Sequence, residues 1–425
     1  MQPAWTKQRY RYLHPLHTTE GGSDDVDFKY TPEEEAFREQ VKDWLAENMK
    51  ELPEWWGNRD IARPEPDSKE YLDFSIWWHR KLNAAGFLGI TWPREYGGRG
   101  GTIMEQVVFY EELARHRAPS PFNVHGMGWI APAMLAFGTE EQKKHFIPRM
   151  LDCDDIWCTL YSEPEAGSDM AAVQTRAVED GDDFVVNGQK VWTSGGHYSD
   201  WAVLLARTDP DASKHRGLSY LFFNMRTPGI TLRPLVQITG HADFNETFLD
   251  DVRIPKHQIL GEKNRGWYVA TAALEFERSG AGAAIQRENT IEDLIEMAGK
   301  TDRDGQPLSQ DPLIRQKLAQ LYIEVQVGKY TDLRGLTRLL RQGRPGPEGV
   351  ISQLMGVGTG QRLQLLAMEL LGPYSQLVRG SRYAFEHGRW QESFLQSRGS
   401  SIATGTPEIK RNIIGMRVLG LPRSY

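Results

Sequence analysis

The sequence predicts an α+β fold that is mostly helical, with its strands confined to the middle third. Apolar residues recur at helical spacing before residue 156 and again from about Gly266 onward. Between these blocks lie short apolar segments, and residues 184–192 are predicted to form a hairpin that turns at Asn187-Gly188. Because helices and strands fall in separate blocks, a parallel α/β sheet is not favoured. We assign residues 1–28 to an N-terminal arm, 29–155 to a helical domain, 156–262 to a β domain and 263–425 to a second helical domain.

Capping residues mark where helices of the N-terminal block begin. Thr31 suits an N-cap, Pro32 a first turn and Glu34 the third position of a capping box. The segment from Thr139 to Gln142 repeats the capping-box pattern. Apolar residues share one helical face in each block: Phe37, Val41, Trp44 and Leu45, then Tyr71, Phe74, Trp77, Trp78 and Leu82, then Leu318, Leu321, Tyr322 and Val325.

Charge, hydropathy and cysteine content narrow the possible functions. The 425 residues include 50 Lys and Arg against 57 Asp and Glu, and a net charge of -7 gives no general attraction to nucleic acid. No apolar run approaches the roughly 20 residues of a membrane helix, and the first residues lack a secretory apolar stretch. Cys153 and Cys158 match neither a disulfide framework nor a zinc site. We expect a reduced, cytoplasmic enzyme that binds neither membranes nor nucleic acid.

Several common catalytic motifs are absent from the sequence. Gly280-x-Gly282 and Gly356-x-Gly358-x-Gly360 lie in helical surroundings and do not complete a dinucleotide-binding fingerprint. There is no phosphate-binding Gly-x-x-x-x-Gly-Lys-Ser/Thr loop, no His-Glu-x-x-His and no Gly-x-Ser-x-Gly. A zinc hydrolase or a serine esterase is therefore not supported.

A loop rich in turn-forming residues covers residues 159–169. Pro164 and Gly167 favour an irregular backbone with free N–H donors, and Ser162 and Ser168 add hydroxyl groups. Such a loop suits the polar edge of a flat heterocycle. The same composition is also typical of an ordinary turn.

Two further candidate residues lie at the ends of predicted secondary-structure elements. Trp192 ends a strand, where an indole can wall a pocket and stack on an aromatic ring, although it could equally be a core residue. Thr406 suits the N-cap of a helix whose N-terminus can hold phosphate, or it is a plain structural cap.

One predicted helix carries a candidate carboxylate. Glu275 and Glu277 are two residues apart and therefore point to different faces. Glu277 can serve as a pocket carboxylate, whereas the alternative is that Glu277-Arg278 is a solvated pair.

Seven segments, in order along the chain, carry a family resemblance. They are Thr91-Trp92-Pro93-Arg94-Glu95-Tyr96-Gly97-Gly98, Gly138-Thr139-Glu140-Glu141-Gln142-Lys143, Ser162-Glu163-Pro164 with Ser168-Asp169, Asn187-Gly188-x-Lys190-x-Trp192-Thr193-Ser194, Phe244-Asn245-Glu246, Asp251-Val252-Arg253-Ile254-Pro255 and Ile409-Lys410-Arg411-Asn412-Ile413-Ile414. In this order they resemble the signature motifs of the acyl-CoA dehydrogenase family between about Tyr30 and Pro422. The resemblance implies a C-terminal four-helix bundle after the helical and β domains. It also implies α,β-dehydrogenation of an acyl-CoA by bound FAD, an external electron acceptor such as an electron-transfer flavoprotein, and a homodimer or homotetramer.

The resemblance also implies which residues contact the cofactor and substrate. Thr406 and Glu408 would approach the FAD phosphates or adenosine. Ser168 would lie near the thioester end of the acyl-CoA, and Ser194 near flavin N5. The implied flavin-contacting residues are Thr159, Leu160, Tyr161, Ser162, Gly167, Ser168, Trp192, Thr193 and Ser194.

The position of the catalytic base departs from the commonest family pattern. Many members have the carboxylate just before the C-terminal Gly-Thr, where this chain has Thr404, whose neutral hydroxyl cannot act as the base. Other members use a glutamate just ahead of an arginine on an earlier helix, which Glu277-Arg278 resembles. We therefore predict that Glu277 is the base and that Arg278 orients the substrate site.

Two more departures concern the FAD-binding motifs. Glu369-Leu370-Leu371-Gly372-Pro373 has Glu for the usual Gln and one paired glycine replaced, and Arg303-Asp304-Gly305 lacks the usual aromatic residue. Two alternatives therefore stay open. One is a non-catalytic or half-site subunit of a heteromeric acyl-CoA dehydrogenase complex, and the other is a flavin oxidase or monooxygenase on the same fold.

Overall fold

A computed structural model describes residues 30–59, 61–276, 282–303, 305–342 and 346–422. The predicted N-terminal arm, Glu277 and Arg278 lie outside these residues. The helices in chain order are α1 (Pro32–Asn48), α2 (Lys69–Ala84), α3 (Ile103–Arg115), α4 (Ala131–Phe137), α5 (Glu140–Leu151), α6 (Gly266–Phe276), α7 (Ala283–Lys300), α8 (Pro312–Gln342), α9 (Glu348–Leu371), α10 (Arg389–Gln396) and α11 (Pro407–Ile413). The strands are β1 (Trp157–Leu160), β2 (Arg176–Asp180), β3 (Asp183–Ser194), β4 (Trp201–Arg207), β5 (Leu218–Asn224), β6 (Ile230–Leu235), β7 (Phe244–Pro255), β8 (Asp302–Arg303) and β9 (Gln306–Pro307).

The elements form two compact units, and the predicted α+β, mostly helical fold is confirmed. The first, which we call the helical unit, spans residues 1–63, 102–119 and 278–425. The second, the sheet unit, spans residues 64–101 and 120–277. No helix within the described ranges is long and apolar enough to cross a membrane.

The helical unit is built on α7, α8 and α9. Leu318, Leu321 and Val325 of the predicted α8 face are buried, but Tyr322 is 48 % exposed, so its assignment to that face was wrong. One helical turn covers 3.6 residues, and Tyr322 therefore lies about 100° away from Leu321 around the helix axis. The buried core of this unit contains Ile291, Leu294, Met297, Ala298, Leu308, Ile314, Leu318, Leu321, Val325, Leu363, Leu366, Ala367, Leu370, Leu371 and Trp390.

The sheet unit contains a seven-stranded sheet in the order β1-β4-β2-β3-β7-β6, with β5 paired to β4. The β1–β4 and β2–β4 pairs are parallel, and the other pairs are antiparallel. Most buried positions of this sheet are apolar, but Lys190, Thr193, Asn245 and Thr247 are buried polar residues. Its core residues are Cys158, Leu160, Ala177, Phe184, Val186, Ala202, Leu204, Ala206, Leu221, Phe223, Met225, Leu249, Val252 and Ile254.

The predicted hairpin turn at Asn187-Gly188 was wrong. β3 runs unbroken from Asp183 to Ser194, and the β2–β3 turn lies instead between Asp180 and Asp183. Asn187-Gly188 coincides with a register shift against β7, where a β-bulge uses the same residue types as a primed turn. A Cβ at Gly188 would also clash with Thr175, so glycine is required by close packing.

The predicted helix caps are confirmed. The Thr31 hydroxyl accepts a hydrogen bond from the Glu34 N–H at 3.2 Å, and the Glu34 carboxylate accepts one from the Thr31 N–H at 2.8 Å. The same reciprocal bonds join Thr139 and Gln142 at the start of α5. Each such cap contributes about 1 kcal/mol to helix stability.

Helix α6 packs directly on the sheet and leads toward the predicted base. A Cβ at Gly266 would collide with the backbone of Ser219 and Tyr220 in β5, so the helix begins in contact with that strand. Val269, Ala270 and Ala273 are buried on the following turns. The last described residue of α6 is Phe276. The described packing of α6 on the sheet therefore extends to Ala273.

His79 in α2 makes the stability of the sheet unit sensitive to acid. It is fully buried, one ring nitrogen lies 3.0 Å from the Leu151 carbonyl oxygen, and burial lowers the pKa of His79 to about 4. Since the unfolded chain binds this proton near pH 6.5, its contribution to stability is complete above pH 6.5 and is lost as the pH falls toward 4. We expect the free energy of unfolding to fall by about 2 kcal/mol between pH 7 and pH 5 from this group.

Urea unfolding of the wild type and of His79→Gln at both pH values checks this. The variant is expected to lose that much less stability on acidification. Equal losses in the two proteins would show that His79 does not carry the effect.

Candidate functional site

A buried ion pair anchors the loop that follows β1. Lys190 in β3 is fully buried, and its Nζ lies 2.9 Å from the carboxylate of Glu163, which is 8 % exposed. The same Nζ donates hydrogen bonds to the carbonyl oxygens of Tyr161 at 3.0 Å and Leu205 at 2.8 Å. One ammonium group therefore ties the loop to both β3 and β4.

The Glu163 carboxylate is satisfied on its other side by backbone donors. It accepts hydrogen bonds from the N–H groups of Gln174 at 2.6 Å and Thr175 at 2.9 Å. Burial acts to raise the pKa of Glu163, but Lys190 and these donors outweigh it and hold this pKa below its usual value. Burial lowers the pKa of Lys190 to about 8, partly offset by Glu163. Both groups are therefore charged at neutral pH.

The loop itself closes in a tight turn. The backbones of Glu163 and Ala166 exchange two hydrogen bonds of 3.0 Å, and the Val191 N–H donates to the Ser162 carbonyl at 2.9 Å. Gly167 and Ser168, at the far side of the turn, are exposed. The base of the loop is thus fixed, while its outer residues face accessible space.

Trp192 is an exposed residue in a strained conformation. It has φ +63°, lies at the register shift between Lys190 and Thr193, and is 55 % exposed. Its ring meets that of Phe244 edge-on, with centroids 5.8 Å apart. The alternative that Trp192 is a core residue is therefore wrong. A β-bulge changes the direction in which a side chain points. A non-glycine residue with a left-handed backbone conformation is often found at a functional site.

The two residues after Trp192 differ in orientation. The Thr193 side chain is fully buried and its hydroxyl lies 2.9 Å from that of Thr247. The Thr193 carbonyl also accepts a hydrogen bond from the Asn245 amide at 3.1 Å. Thr193 therefore holds the bulge from inside the sheet, whereas Ser194 is half-buried.

The residues at the end of β1 are held mostly through side chains that point inward. Leu160 belongs to the sheet core. The Tyr161 hydroxyl hydrogen-bonds the hydroxyl of buried Tyr220. Thr159 is 8 % exposed, and its hydroxyl lies 3.2 Å from Nδ1 of His125. Contacts from Leu160 to a ligand would have to come from its backbone.

The C-terminal candidates lie in the helical unit. Thr406 caps α11, accepting a hydrogen bond from the Ile409 N–H at 3.3 Å, which confirms the cap prediction. Glu408 is exposed and lies 3.5 Å from Arg411. Thr404 is exposed with φ +54°, an unusual conformation for a β-branched residue.

The structure explains part of the two departures from the family's FAD-binding motifs in the same unit. The carboxylate of Glu369, which replaces the family's usual glutamine, forms an ion pair with Lys317. Gly372 ends α9 with φ +54°. Asp304 lies outside the described residues, which contain no group of three or more His, Cys, Asp or Glu side chains able to hold a metal. Cys153 and Cys158 are buried free thiols.

Three residues of this region were not singled out from sequence. Lys190 and Glu163 were quoted only as parts of motifs, and His125 was not considered. The signal for Lys190 was available, because period-two alternation from Phe184 and Val186 places it on the core face of β3. A charged residue at a core position needs a partner of opposite charge. No sequence signal pointed to His125.

The chain belongs to the acyl-CoA dehydrogenase family, a family of FAD-dependent oxidoreductases, and the resemblance seen in the sequence is confirmed. The family models described as the N-terminal, middle and C-terminal domains of acyl-CoA dehydrogenase match residues 31–154, 158–252 and 264–419.

Individual relatives cover nearly the whole chain. Acyl-CoA dehydrogenase IpdE1 of Mycobacterium tuberculosis is 39 % identical over 92 % of this chain and 98 % of its own length. The crystal structure of the ChsE4-ChsE5 complex from Mycobacterium tuberculosis superposes with a TM-score of 0.79 and 32 % identity, covering 94 % of this chain and 100 % of that chain. A structure titled Tcur3481-Tcur3483 steroid ACAD gives a TM-score of 0.80 and 28 % identity, covering 94 % and 100 %.

Proposed function

We propose that this chain binds FAD along residues 159–168 and 192–194 of the sheet unit and uses it to dehydrogenate an acyl-CoA thioester between its α and β carbons. The observation that carries the proposal is Trp192, a large aromatic side chain that a strained bulge directs out of the sheet. The residues present fit a flat ring system: an exposed indole stands beside a rigidly anchored loop, and open space surrounds Gly167. Thr406 and Glu408 are proposed contacts of the FAD phosphates or adenosine from the motif alone.

In the proposed reaction, the chain's own residues remove the α-proton and orient the thioester. The Glu277 carboxylate removes the α-proton, and Arg278 orients the substrate. Ser168, which is exposed in the loop, would contact the thioester end. Donors near the thioester carbonyl would stabilise the negative charge that develops on its oxygen. FAD, when bound, supplies the acceptor for the β-hydride.

The proposed partners follow from the same reaction. An acyl-CoA is the substrate, and an external acceptor such as an electron-transfer flavoprotein removes the electrons. We propose a homodimer or homotetramer as the working assembly. Because one similar structure is titled a steroid ACAD, thioesters with a ring-bearing acyl group are the first substrates to test.

Anaerobic titration of the purified chain with straight, branched and ring-bearing acyl-CoAs tests the proposed reaction. Loss of the flavin absorbance band on adding one class of thioester, followed by recovery on adding an electron acceptor, is the expected result. A flavin that no thioester bleaches would refute the proposal. Rapid reoxidation by O₂ with substrate turnover would favour the oxidase or monooxygenase alternative.

A second candidate is a subunit of a heteromeric dehydrogenase that does not complete its own site. Thr404 at the common base position and Glu369 in the FAD motif favour it, and a similar structure is titled the ChsE4-ChsE5 complex. The colour and FAD content of the purified chain distinguish this candidate from a dehydrogenase that is complete on its own. A chain that is colourless alone and takes up FAD only with a partner chain would support the heteromeric subunit.

Replacing Trp192 by glycine is expected to affect folding and cofactor binding in opposite directions. Glycine removes a left-handed strain of about 1–2 kcal/mol, so the apoprotein should be slightly more stable. Loss of the ring contact should weaken FAD binding by roughly tenfold. Chemical denaturation and FAD titration of Trp192→Gly measure the two effects.

Trp192→Phe is the matched control, because it keeps an aromatic ring on the strained backbone. It should retain more FAD than Trp192→Gly and gain no stability. Equal FAD affinity in the glycine variant and the wild type would remove Trp192 from the cofactor site.

A further inference from the structure

A histidine that no motif contains lies against the proposed flavin segment. His125 immediately precedes a π-helical turn, Gly126–Ile130, and its Nδ1 lies 3.2 Å from the hydroxyl of Thr159. Wide helical turns of this kind are rare and occur often at functional sites. Thr159 stands at the end of β1, within the segment proposed to contact FAD.

The surroundings of His125 keep its ring fixed and neutral. The ring packs against that of Trp129, with centroids 4.5 Å apart and the two planes tilted by 31°. Burial lowers the pKa of His125 to about 4, with no acidic group acting against it. Above pH 5 the imidazole is therefore uncharged, with one nitrogen as a donor and the other as an acceptor.

Within the described part of the chain, one of the two ring nitrogens of His125 makes a hydrogen bond. Nδ1 faces Thr159, whereas Nε2 has no hydrogen-bond partner among the described residues and is not sealed from solvent. The other histidine in this unit with a similarly lowered pKa, His79, is fully buried and bonds a backbone carbonyl. His79 also has an unpartnered ring nitrogen, Nδ1, but that atom is sealed from solvent, whereas Nε2 of half-buried His125 is not.

We propose that His125 is a flavin-positioning residue: its Nδ1 fixes the Thr159 hydroxyl, and its Nε2 hydrogen-bonds the bound flavin ring. This inference rests on the proposed function. Oxygen and nitrogen atoms on the polar edge of the flavin accept hydrogen bonds, so the Nε2–H tautomer matches them while Nδ1 accepts from Thr159. A fixed, uncharged donor of this kind contributes to cofactor affinity and tunes the energy of the reduced ring.

The test compares His125→Phe, His125→Gln and Thr159→Val with the wild type. Phenylalanine keeps the ring contact with Trp129 and removes both nitrogens. We expect His125→Phe to weaken FAD binding by about five- to tenfold, as loss of one hydrogen bond predicts. It should also shift the flavin absorbance spectrum and midpoint potential, which a purely structural residue would leave unchanged.

Two further comparisons sharpen the result. His125→Gln, which can still donate, should recover part of the affinity, and His125→Phe with Thr159→Val should weaken FAD binding by less than the product of the single effects. His145→Phe, an exposed histidine in α5, is the control and should match the wild type. Thermal unfolding of each apoprotein checks folding, and if His125→Phe does not fold, the glutamine and Thr159 variants decide.

Wild-type affinity, spectrum and potential in the His125 variants would overturn this inference while leaving the proposed function intact. A wild-type chain that binds no FAD, alone or with a partner chain, would instead overturn the proposed function and this inference with it.

Discussion

Glu277→Gln is expected to slow reduction of the flavin by acyl-CoA by on the order of 10²–10⁴-fold, the range that a positioned general base contributes. Glutamine keeps the size and hydrogen-bonding capacity of the side chain but cannot accept the α-proton. Binding of the thioester should change little, so the loss should appear in the rate constant at saturating substrate. Stopped-flow absorbance of the flavin, mixed anaerobically with acyl-CoA, measures that rate constant directly.

Two substitutions serve as matched controls for Glu277. Glu275 is two residues away, and in the helix predicted from the sequence this spacing puts the two side chains on different faces, so Glu275→Gln should reduce flavin at the wild-type rate. Thr404 occupies the common base position of the family but carries a neutral hydroxyl, so Thr404→Ala should also be unaffected. A wild-type rate in Glu277→Gln would remove this residue from the role, and a large loss in Thr404→Ala would redirect attention to the C-terminal segment.

Sequence patterns predicted local structure well wherever one short-range interaction decides it. Thr31 and Thr139 cap helices because the hydroxyl reaches an N–H three residues away, and both ends of that interaction are visible in the sequence. Asn187-Gly188 misled because the same residue pair suits both a primed turn and a bulge. Only the pairing of β3 with β7 and the nearby Thr175 distinguish the two, and neither is a local property.

The candidate site shows the same limit more sharply. Trp192 was identified from its place in a motif, but its exposure depends on a register shift that the sequence does not reveal. His125 precedes Thr159 by 34 residues, and their contact depends on how the helix start meets β1. Motifs therefore predicted which segments form the site, whereas the residues that position those segments emerged only from the tertiary contacts.

Lys190→Met is expected to lower the free energy of unfolding by about 3–5 kcal/mol, because it leaves the Glu163 carboxylate buried without its counter-charge. The hydrogen bonds from Lys190 to the Tyr161 carbonyl in the loop and to the Leu205 carbonyl in β4 would also be lost, so FAD should be lost on purification. Urea denaturation of the apoprotein and the flavin content of the purified protein measure the two effects. Lys256→Met is the control, since its ion pair with Glu179 is solvent-exposed and screened, so this variant should change stability far less.

The double variant Glu163→Gln with Lys190→Met separates the ion pair from packing. Removing both charges eliminates the stranded carboxylate, so stability should recover by several kcal/mol relative to Lys190→Met alone. Flavin content should not recover to the same extent, because the Lys190 hydrogen bonds to the loop carbonyl are still missing. Equal recovery of stability and flavin would mean that the pair acts on the cofactor only through global folding. Recovery of stability with loss of flavin would show that this ammonium group sets the position of the flavin-contacting loop itself.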